Sequence, residues 1–367
     1  MKRFKSFLPV LCLSVVLAMS MSCKKDKDDE TNNNNNNQNQ TVYNTGVLIA
    51  NEGVYQAGNA SVSHYDPVKN VLTNSLFETI NSRPLGDVLQ SVLVTGGKAY
   101  MVLNVSNKIE IVTLSDFKES AVISNLNSPR HLLPVSTSKA YLTEWGDNAV
   151  KVIDLASNSI TGTINVGSGP EKMLMTDESV YVANGGGWGT DSTVSVISTS
   201  SDQLTATIGT GISPMDIVKD HEGYIWVLCK GAVQYDSLWN LIGHDPSVLQ
   251  KIDPGTNTII STTQLSEDQH PEHLEISPDG TTLYYGAGTS GFSGIYSIST
   301  ASPSVSTTAF ITGTYYGFNV NPVNGEIYAL NAGDYQTNGT LYRYNSSGTV
   351  INSHTVGLIP NSVVFID

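Results

Sequence analysis

Cysteine is nearly absent, with three residues in 367, at positions 12, 23 and 229. The first lies inside an N-terminal apolar run and the second closes it, so Cys229 stands alone in the body of the chain. That excludes an intramolecular disulfide there and any thiolate metal cluster; Cys229 reads as a small buried hydrophobe at a strand end. Basic residues are scarce too, 19 Lys and Arg against 33 Asp and Glu, for a formal net charge of −14. Phosphate backbones require clustered cations, so this balance argues against a nucleic-acid partner. Missing as well are a Ser/His/Asp order, an HExxH pair and an Asp-rich calcium loop. Charged residues make up only 14% of the chain, and Gly, Ser, Thr and Asn, the residues of tight turns, are abundant in their place.

What is present is a repeat. Residues 149–184, AVKVIDLASNSITGTINVGSGPEKMLMTDESVYVAN, alternate apolar and polar positions over 150–155, 160–166, 172–176 and 181–184, the period-two signature of half-buried strands. The closing strand recurs at 47–51, 100–104, 141–144, 224–229, 283–286 and 327–331, and the opening strand at 61–66, 108–114, 194–199, 248–253, 294–299 and 341–345. The copies recur about every 47 residues, within the ~40–50 of four-stranded propeller blades. A solenoid shares such a period, but four strands per repeat with no helical element favour an all-β, seven-bladed β-propeller. Residues 360–366 read as a first strand with no blade after it, and 47–51 as a second strand with no first. Pairing them seals the ring in one shared blade and removes its edges.

The chain divides into 1–22, 23–41 and a propeller domain over 42–367. Lys2-Arg3-Phe4-Lys5, the apolar run 7–21 and Ser22-Cys23 resemble a bacterial lipoprotein signal, departing from it at Ser20, where that pattern has Leu; an ordinary cleaved signal is the other reading. The resemblance implies that Cys23 is lipidated. Residues 24–30, KKDKDDE, resemble the surface-export tag of Bacteroidota-type lipoproteins, the bland alternative being a solvated spacer. The polar tract that follows cannot offset its ordering entropy and is expected to be a disordered tether. The expected location is the outer membrane, lipid-anchored and exposed at the cell surface.

The map of blades sorts loops onto two faces. The loops 52–60, 145–148, 185–193, 230–247, 287–293 and 332–339 carry Tyr55, Trp145, Trp188, Tyr235, Trp239, Phe292 and Tyr335, whereas the opposite turns are small and polar. One face is therefore the expected working face. Entries to the innermost strands add Ser82-Arg83-Pro84, Pro129-Arg130-His131, Pro170-Glu171-Lys172, Pro214-Met215-Asp216, Pro271-Glu272-His273 and Tyr315-Tyr316 to that end. The expected ligand site takes stacking contacts from Tyr55, Trp145, Trp188, Trp239 and Tyr335, and polar anchors from Arg83, Arg130, Glu171, Glu272 and His273. The bland alternative is that these polar groups satisfy one another. No metal site and no cofactor are expected: on an extended strand His273 and Glu275 share a side and Glu272 lies on the other. Gly286 to Gly291 fits a dinucleotide fingerprint on paper, but a strand follows it where a helix is required. The 230–247 loop is the candidate lid, or else a static flap.

Two resemblances follow from these residues. The 149–184 module, ending Tyr181-Val182-Ala183-Asn184, resembles the YVTN-type repeat of surface-layer propellers over nearly all of 42–367. More narrowly, Asn51-Glu52-Gly53, Leu85-Gly86-Asp87, Ser128-Pro129-Arg130 and Gly169-Pro170-Glu171, with the lipoprotein start, resemble the Bacteroidota-type surface propellers that capture cobalamin and hand it to a TonB-dependent transporter. That resemblance implies a nutrient-capture lipoprotein with no enzymatic activity, cobalamin as its transported ligand and the transporter as its partner. An adhesive propeller that meets protein or glycan, and a propeller enzyme of the lyase or lactonase kind, are the alternatives.

Overall fold

Strands that alternate along one face, joined by short polar turns, have one cheap way to bury that face, which is against a copy of themselves. The computed structural model describes residues 43–289 and 292–366, so the expected signal, the Cys23 lipid site and the tether lie outside the described residues. Within them stand seven four-stranded antiparallel sheets and one separate two-stranded hairpin. The second strand of a blade, such as Lys139–Glu144 or Ser179–Asn184, is buried on both faces. The fourth, such as Ser159–Asn165, is largely exposed. This gradient is why the inner repeats read as nearly continuous apolar runs and the outer ones as alternating.

Six blades run in chain order from inner to outer strand. In the seventh the innermost place is taken by Pro360–Ile366, paired antiparallel with Gly46–Asn51 so that Gly46 faces Ile366 and Leu48 faces Val364. The expected closure is therefore how the ring is sealed. The apolar core is divided among the blade junctions. Tyr100, Ile109 and Ile111 of one blade pack with Leu132, Ala140 and Leu142 of the next, and Val47, Ile49 and Val363 of the closing blade pack with Tyr328 and Leu341. Large aromatic rings in the second strands reach polar partners at their tips. Tyr181 Oη donates to Asn257 Oδ1 across a blade junction at 2.6 Å, and Trp226 Nε1 donates to Asp220 Oδ2 at 2.8 Å, which removes the cost of burying those groups.

Two features escape the repeat pattern. A short helix, Leu76–Asn81, buries Leu76 and Phe77 against the closing blade and its neighbour. Six residues hold one i, i+4 apolar pair, Leu76 and Ile80, too short a run to establish a helical period. The 230–247 segment folds as a hairpin of Ala232–Tyr235 and Leu241–Asp245.

Candidate functional site

Each innermost strand enters the ring through a repeated backbone device. Val88, Ser128, Gly169, Ser213 and Ile359 all hold left-handed φ values of 52–53°, and the pairing register then shifts between Pro129 and Leu132, Pro170 and Met173, and Pro214 and Asp216. A register shift re-aims side chains at a strand end. Here it lets two consecutive residues, Arg130-His131, Glu171-Lys172, Met215-Asp216 and Asn361-Ser362, line one cavity of ≈ 440 Å³, which Glu272-His273 also line. Val88 and Ile359 are β-branched, for which a positive φ is a strained backbone state, and both border this cavity.

The lining groups form a circuit that passes from blade to blade. Arg130 Nε and Nη2 donate to Glu171 Oε2 and Oε1 at 3.0 and 3.1 Å, Nη1 donates to Gln90, and the guanidinium lies 4.0 Å over Trp145. Lys172 Nζ meets Asp216 Oδ2 at 3.2 Å, which also accepts Leu274 N–H from the next blade at 3.1 Å. Asn319 Nδ2 donates to Glu275 Oε1 at 2.7 Å, and its Oδ1 accepts Val363 N–H of the closing strand at 2.8 Å. Asn361 Nδ2 completes the turn by donating to the carbonyls of Leu89 and Gln90 at 3.1 and 3.0 Å. Outside this circuit Lys230 Nζ pairs with Glu272 Oε1 at 3.2 Å, and Thr289 Oγ1 donates to the same oxygen at 2.8 Å. Glu52 accepts from Tyr316 Oη at 3.0 Å and from Asn361 at 2.9 Å.

Burial and pairing set the protonation states. Burial pushes His131 below its usual range despite the pull of Glu171, and burial, with Lys172 nearby, does the same to His273. Burial would raise Glu171, but Arg130 and His131 outweigh it and hold the carboxyl below the ordinary range. Glu52 and Glu275 go the other way: burial raises both, Glu275 to about 7 with Lys172 opposing. A folded value raised from 4.5 to about 7 means that Glu275 favours the fold at pH below about 4.5 and that this contribution is lost as pH rises through about 7. Glu275→Gln should therefore raise the melting temperature by several degrees at pH 8 and change it little at pH 5. Scanning calorimetry at the two pH values reads this directly, and equal shifts would refute it.

Of the ten expected site residues, Tyr55, Arg130, Trp145, Glu171, Glu272, His273 and Tyr335 line the cavity. Trp188 stands on the rim, 76% exposed and edge-on to Trp145 at 5.7 Å. Gly169 explains its placement: a Cβ there would sit 1.9 Å from Gly187 N, so only glycine lets the Gly185 to Gly187 loop lie on the blade entry. Arg83 and Trp239 need correction. Arg83 is held by Glu110 at 2.7 Å and by Glu119 at 2.7 Å, over the Phe77 ring. The true blade entry is Val88-Leu89-Gln90, because the unforeseen helix and its exit occupy the residues around Pro84. Trp239 sits at the hairpin tip against Tyr235, away from the cavity lining. Also corrected is the alternation argument at Glu272: the strand begins only at His273, so both residues face the cavity. His131, Lys172, Asp216 and Tyr316 stood in the expected strand entries but outside the ten expected contact residues, and all four line the cavity; Asn319 and Asn361 were not singled out, although Asn361 directly follows Pro360. Among the described residues no group of three His, Cys, Asp or Glu side chains is arranged to hold a metal. Thr289 of the Gly-rich 286–291 stretch serves Glu272, and a strand follows it.

A family model described as "Domain of unknown function (DUF5074)" matches residues 45–365. No curated protein matches the sequence. Solved structures of similar shape include a putative 6-phosphogluconolactonase of Bacteroides fragilis, 12% identical with a TM-score of 0.64 over 88% of this chain and 98% of that one. A quinonprotein alcohol dehydrogenase-like protein of Bacteroides thetaiotaomicron is 14% identical, with a TM-score of 0.63 over 89% and 79%. The periplasmic gluconolactonase of Pseudomonas aeruginosa is 13% identical, with a TM-score of 0.62 over 88% and 99%. At these identities the likeness is one of fold, that of the β-propeller. It overturns the expectation of a chain without enzymatic activity: proteins of this same fold are described as lactonases, so a missing catalytic motif excludes nothing.

Proposed function

Because the chain belongs to the family described as a domain of unknown function (DUF5074), we propose its role from the funnel: capture of a small molecule of low net charge with a broad apolar face and hydrogen-bonding edges. The observation that carries this reading is the ≈ 440 Å³ cavity whose lysine and arginine side chains are already matched, Arg130 with Glu171, Lys172 with Asp216 and Lys230 with Glu272, and whose remaining carboxyl, Glu52, is raised by burial and held by Tyr316 and Asn361, under an aromatic rim. An ionic ligand would have to compete with an existing buried partner, whereas a neutral one need only replace water. Trp145 Nε1, buried with no hydrogen-bond partner among the described residues, is a donor left for such a ligand. Cobalamin is the first candidate, on the sequence resemblance. Its macrocycle would seat an edge in the funnel and a face on Trp188 and Tyr335. Lipid anchoring at Cys23, surface display and delivery to a TonB-dependent transporter belong to the same proposal and rest on the sequence of residues 1–41 and on that resemblance.

Titration calorimetry with cyanocobalamin and with cobinamide tests it. One-to-one binding of either supports capture, and heat no greater than dilution for both removes the corrinoids. Trp188→Ala combined with Tyr335→Ala should weaken that binding by roughly 30-fold or more, the scale of two aromatic contact residues, at an unchanged melting temperature. Unchanged affinity would take the rim out of the site.

A second reading is turnover in the same funnel. It is favoured by His273, kept neutral in the cavity wall, and by Glu275, raised to about 7 beside the lining residue Asn319, since groups poised near neutrality exchange protons readily. Acid release from a panel of sugar lactones, abolished by His273→Ala, would establish it; no release from any of them would remove lactone hydrolysis.

A further inference from the structure

The hairpin of Ala232–Tyr235 and Leu241–Asp245 belongs to no blade and leaves both of its outer edges unpaired. It is nevertheless built to hold one shape. At its neck Gly231, with φ at 74°, passes so close to the returning chain that a Cβ would lie 2.1 Å from the Asp245 carbonyl. In its stem His244 stacks on His270, with Nδ1 to Nε2 at 3.0 Å, and His270 Nδ1 donates to the Lys230 carbonyl at 2.7 Å. At its tip the Asp236 carboxylate accepts Leu238 N–H, Asn240 N–H and Asn240 Nδ2 at 2.8, 2.9 and 2.9 Å, and Trp239 takes a left-handed φ of 64°. A tryptophan in that region is a local cost that the surrounding bonds must enforce. These bonds give the arm a shape of its own, independent of any blade.

What it projects is apolar. Leu238 is 78% and Trp239 82% exposed, with Tyr235, Leu241 and Ile242 also open to solvent. At roughly 200 Å² for a large side chain, these five leave on the order of 600–700 Å² facing water, near the ~800 Å² that each partner contributes to a stable interface. Apolar exposure of this extent gathered on one hairpin points to an interaction site.

We propose that the arm is a dimerisation element: two copies of the chain associate about a two-fold axis, arm against arm, with Leu238 and Trp239 of each packed on Leu241 and Ile242 of the other. A second copy fits better than other occupants for three reasons. Unpaired strand edges and an apolar tip on one hairpin are complementary to themselves, and two-fold contacts are the commonest way to satisfy such a surface. The chain carries a formal charge of −14, yet residues 231–245 hold no Lys, Arg or Glu and only two acidic residues, Asp236 and Asp245, whose carboxylates accept hydrogen bonds within the arm, from Asn240 and from Gln234. Two acidic molecules therefore meet here with the least repulsion. The same absence of Lys and Arg leaves nothing to attract anionic lipid headgroups. Lys230, at the foot of the arm, pairs with Glu272 in the funnel wall, so the contact would set two funnels side by side at their rims.

Analytical ultracentrifugation of the purified protein over a concentration series decides the matter. The expected result is a reversible shift from one chain to two. Leu238→Ser with Trp239→Ser should raise the dissociation constant by at least ~100-fold without lowering the melting temperature at dilutions where the unaltered protein is also a single chain, since both side chains stand in water there. A single-chain mass at every concentration, or a dimer of equal strength in the double variant, would overturn the proposal. So would a monomer that co-sediments with phosphatidylcholine and phosphatidylglycerol vesicles and loses this in the double variant, which would assign the arm to a lipid surface.

Discussion

A chain ending at Leu358 should show no cooperative thermal unfolding. The lost segment, Pro360–Ile366, is the innermost strand of the closing blade and pairs along the whole of Gly46–Asn51. Without it that strand keeps an open edge, Val47, Ile49, Tyr328 and Leu341 lose Val363 as a neighbour, and the circuit through Asn361 and Asn319 is cut. A propeller whose ring is open exposes two blade faces to water at once, an apolar loss that exceeds the ~5–15 kcal/mol by which folded domains are stable. The same junction can be weakened without deletion. A Cβ at Gly317 would fall 1.9 Å from the Asn361 carbonyl, so Gly317→Ala must push the closing strand off its neighbour. Overpacking of this kind costs about 1–3 kcal/mol. Calorimetry should show no transition for the truncation and a lowered but intact one for Gly317→Ala; a truncated chain that melts like the full one would refute closure as the source of stability.

Glu171→Ala should destabilise the protein by about 3–5 kcal/mol, the usual cost of leaving one member of a buried ion pair alone. The carboxylate is 2% exposed and takes both guanidinium contacts of Arg130. Its removal leaves a cation facing Gln90 and the Trp145 ring only. Replacing both partners together, Arg130→Met with Glu171→Leu, should cost far less, because no unpaired charge remains. The pH dependence has a definite sign. Glu171 is held below its ordinary value, so its contribution is present above the unfolded carboxyl value near 4.5 and is lost as pH falls through the lower folded value. Denaturant titration of the single and double variants at pH 7 and at pH 3 separates these effects: the single variant should lose its penalty relative to the wild type as the pH falls. A double variant as unstable as the single one would show that the pair, and not its charge balance, is what the fold requires.

The expected residues that failed did so for one kind of reason. Arg83 stood beside a proline like those at the true entries, but the short helix displaced the entry to Val88. Trp239 shared the loop of a blade and the residue type of the rim, yet the loop folded into its own hairpin and carried it outward. Conversely His131, Lys172 and Asp216 stand two places beyond their entry prolines, one further than Arg130 and Glu171. Strict alternation assigns neighbours to opposite faces, and only the register shift brings both to the funnel.

The number of blades, the strands of each, the seal between the two ends and the face that carries the aromatics are all consequences of local alternation and of a period near 47 residues, and local patterns survive in a sequence because each strand must bury its own face. Which charges meet across blades, which histidines lose their protons, and where the 230–247 segment points depend on side chains 26–44 positions apart arriving within about 3 Å of each other. Such distances are set by the closing of the ring as a whole, and no stretch of the chain carries them on its own.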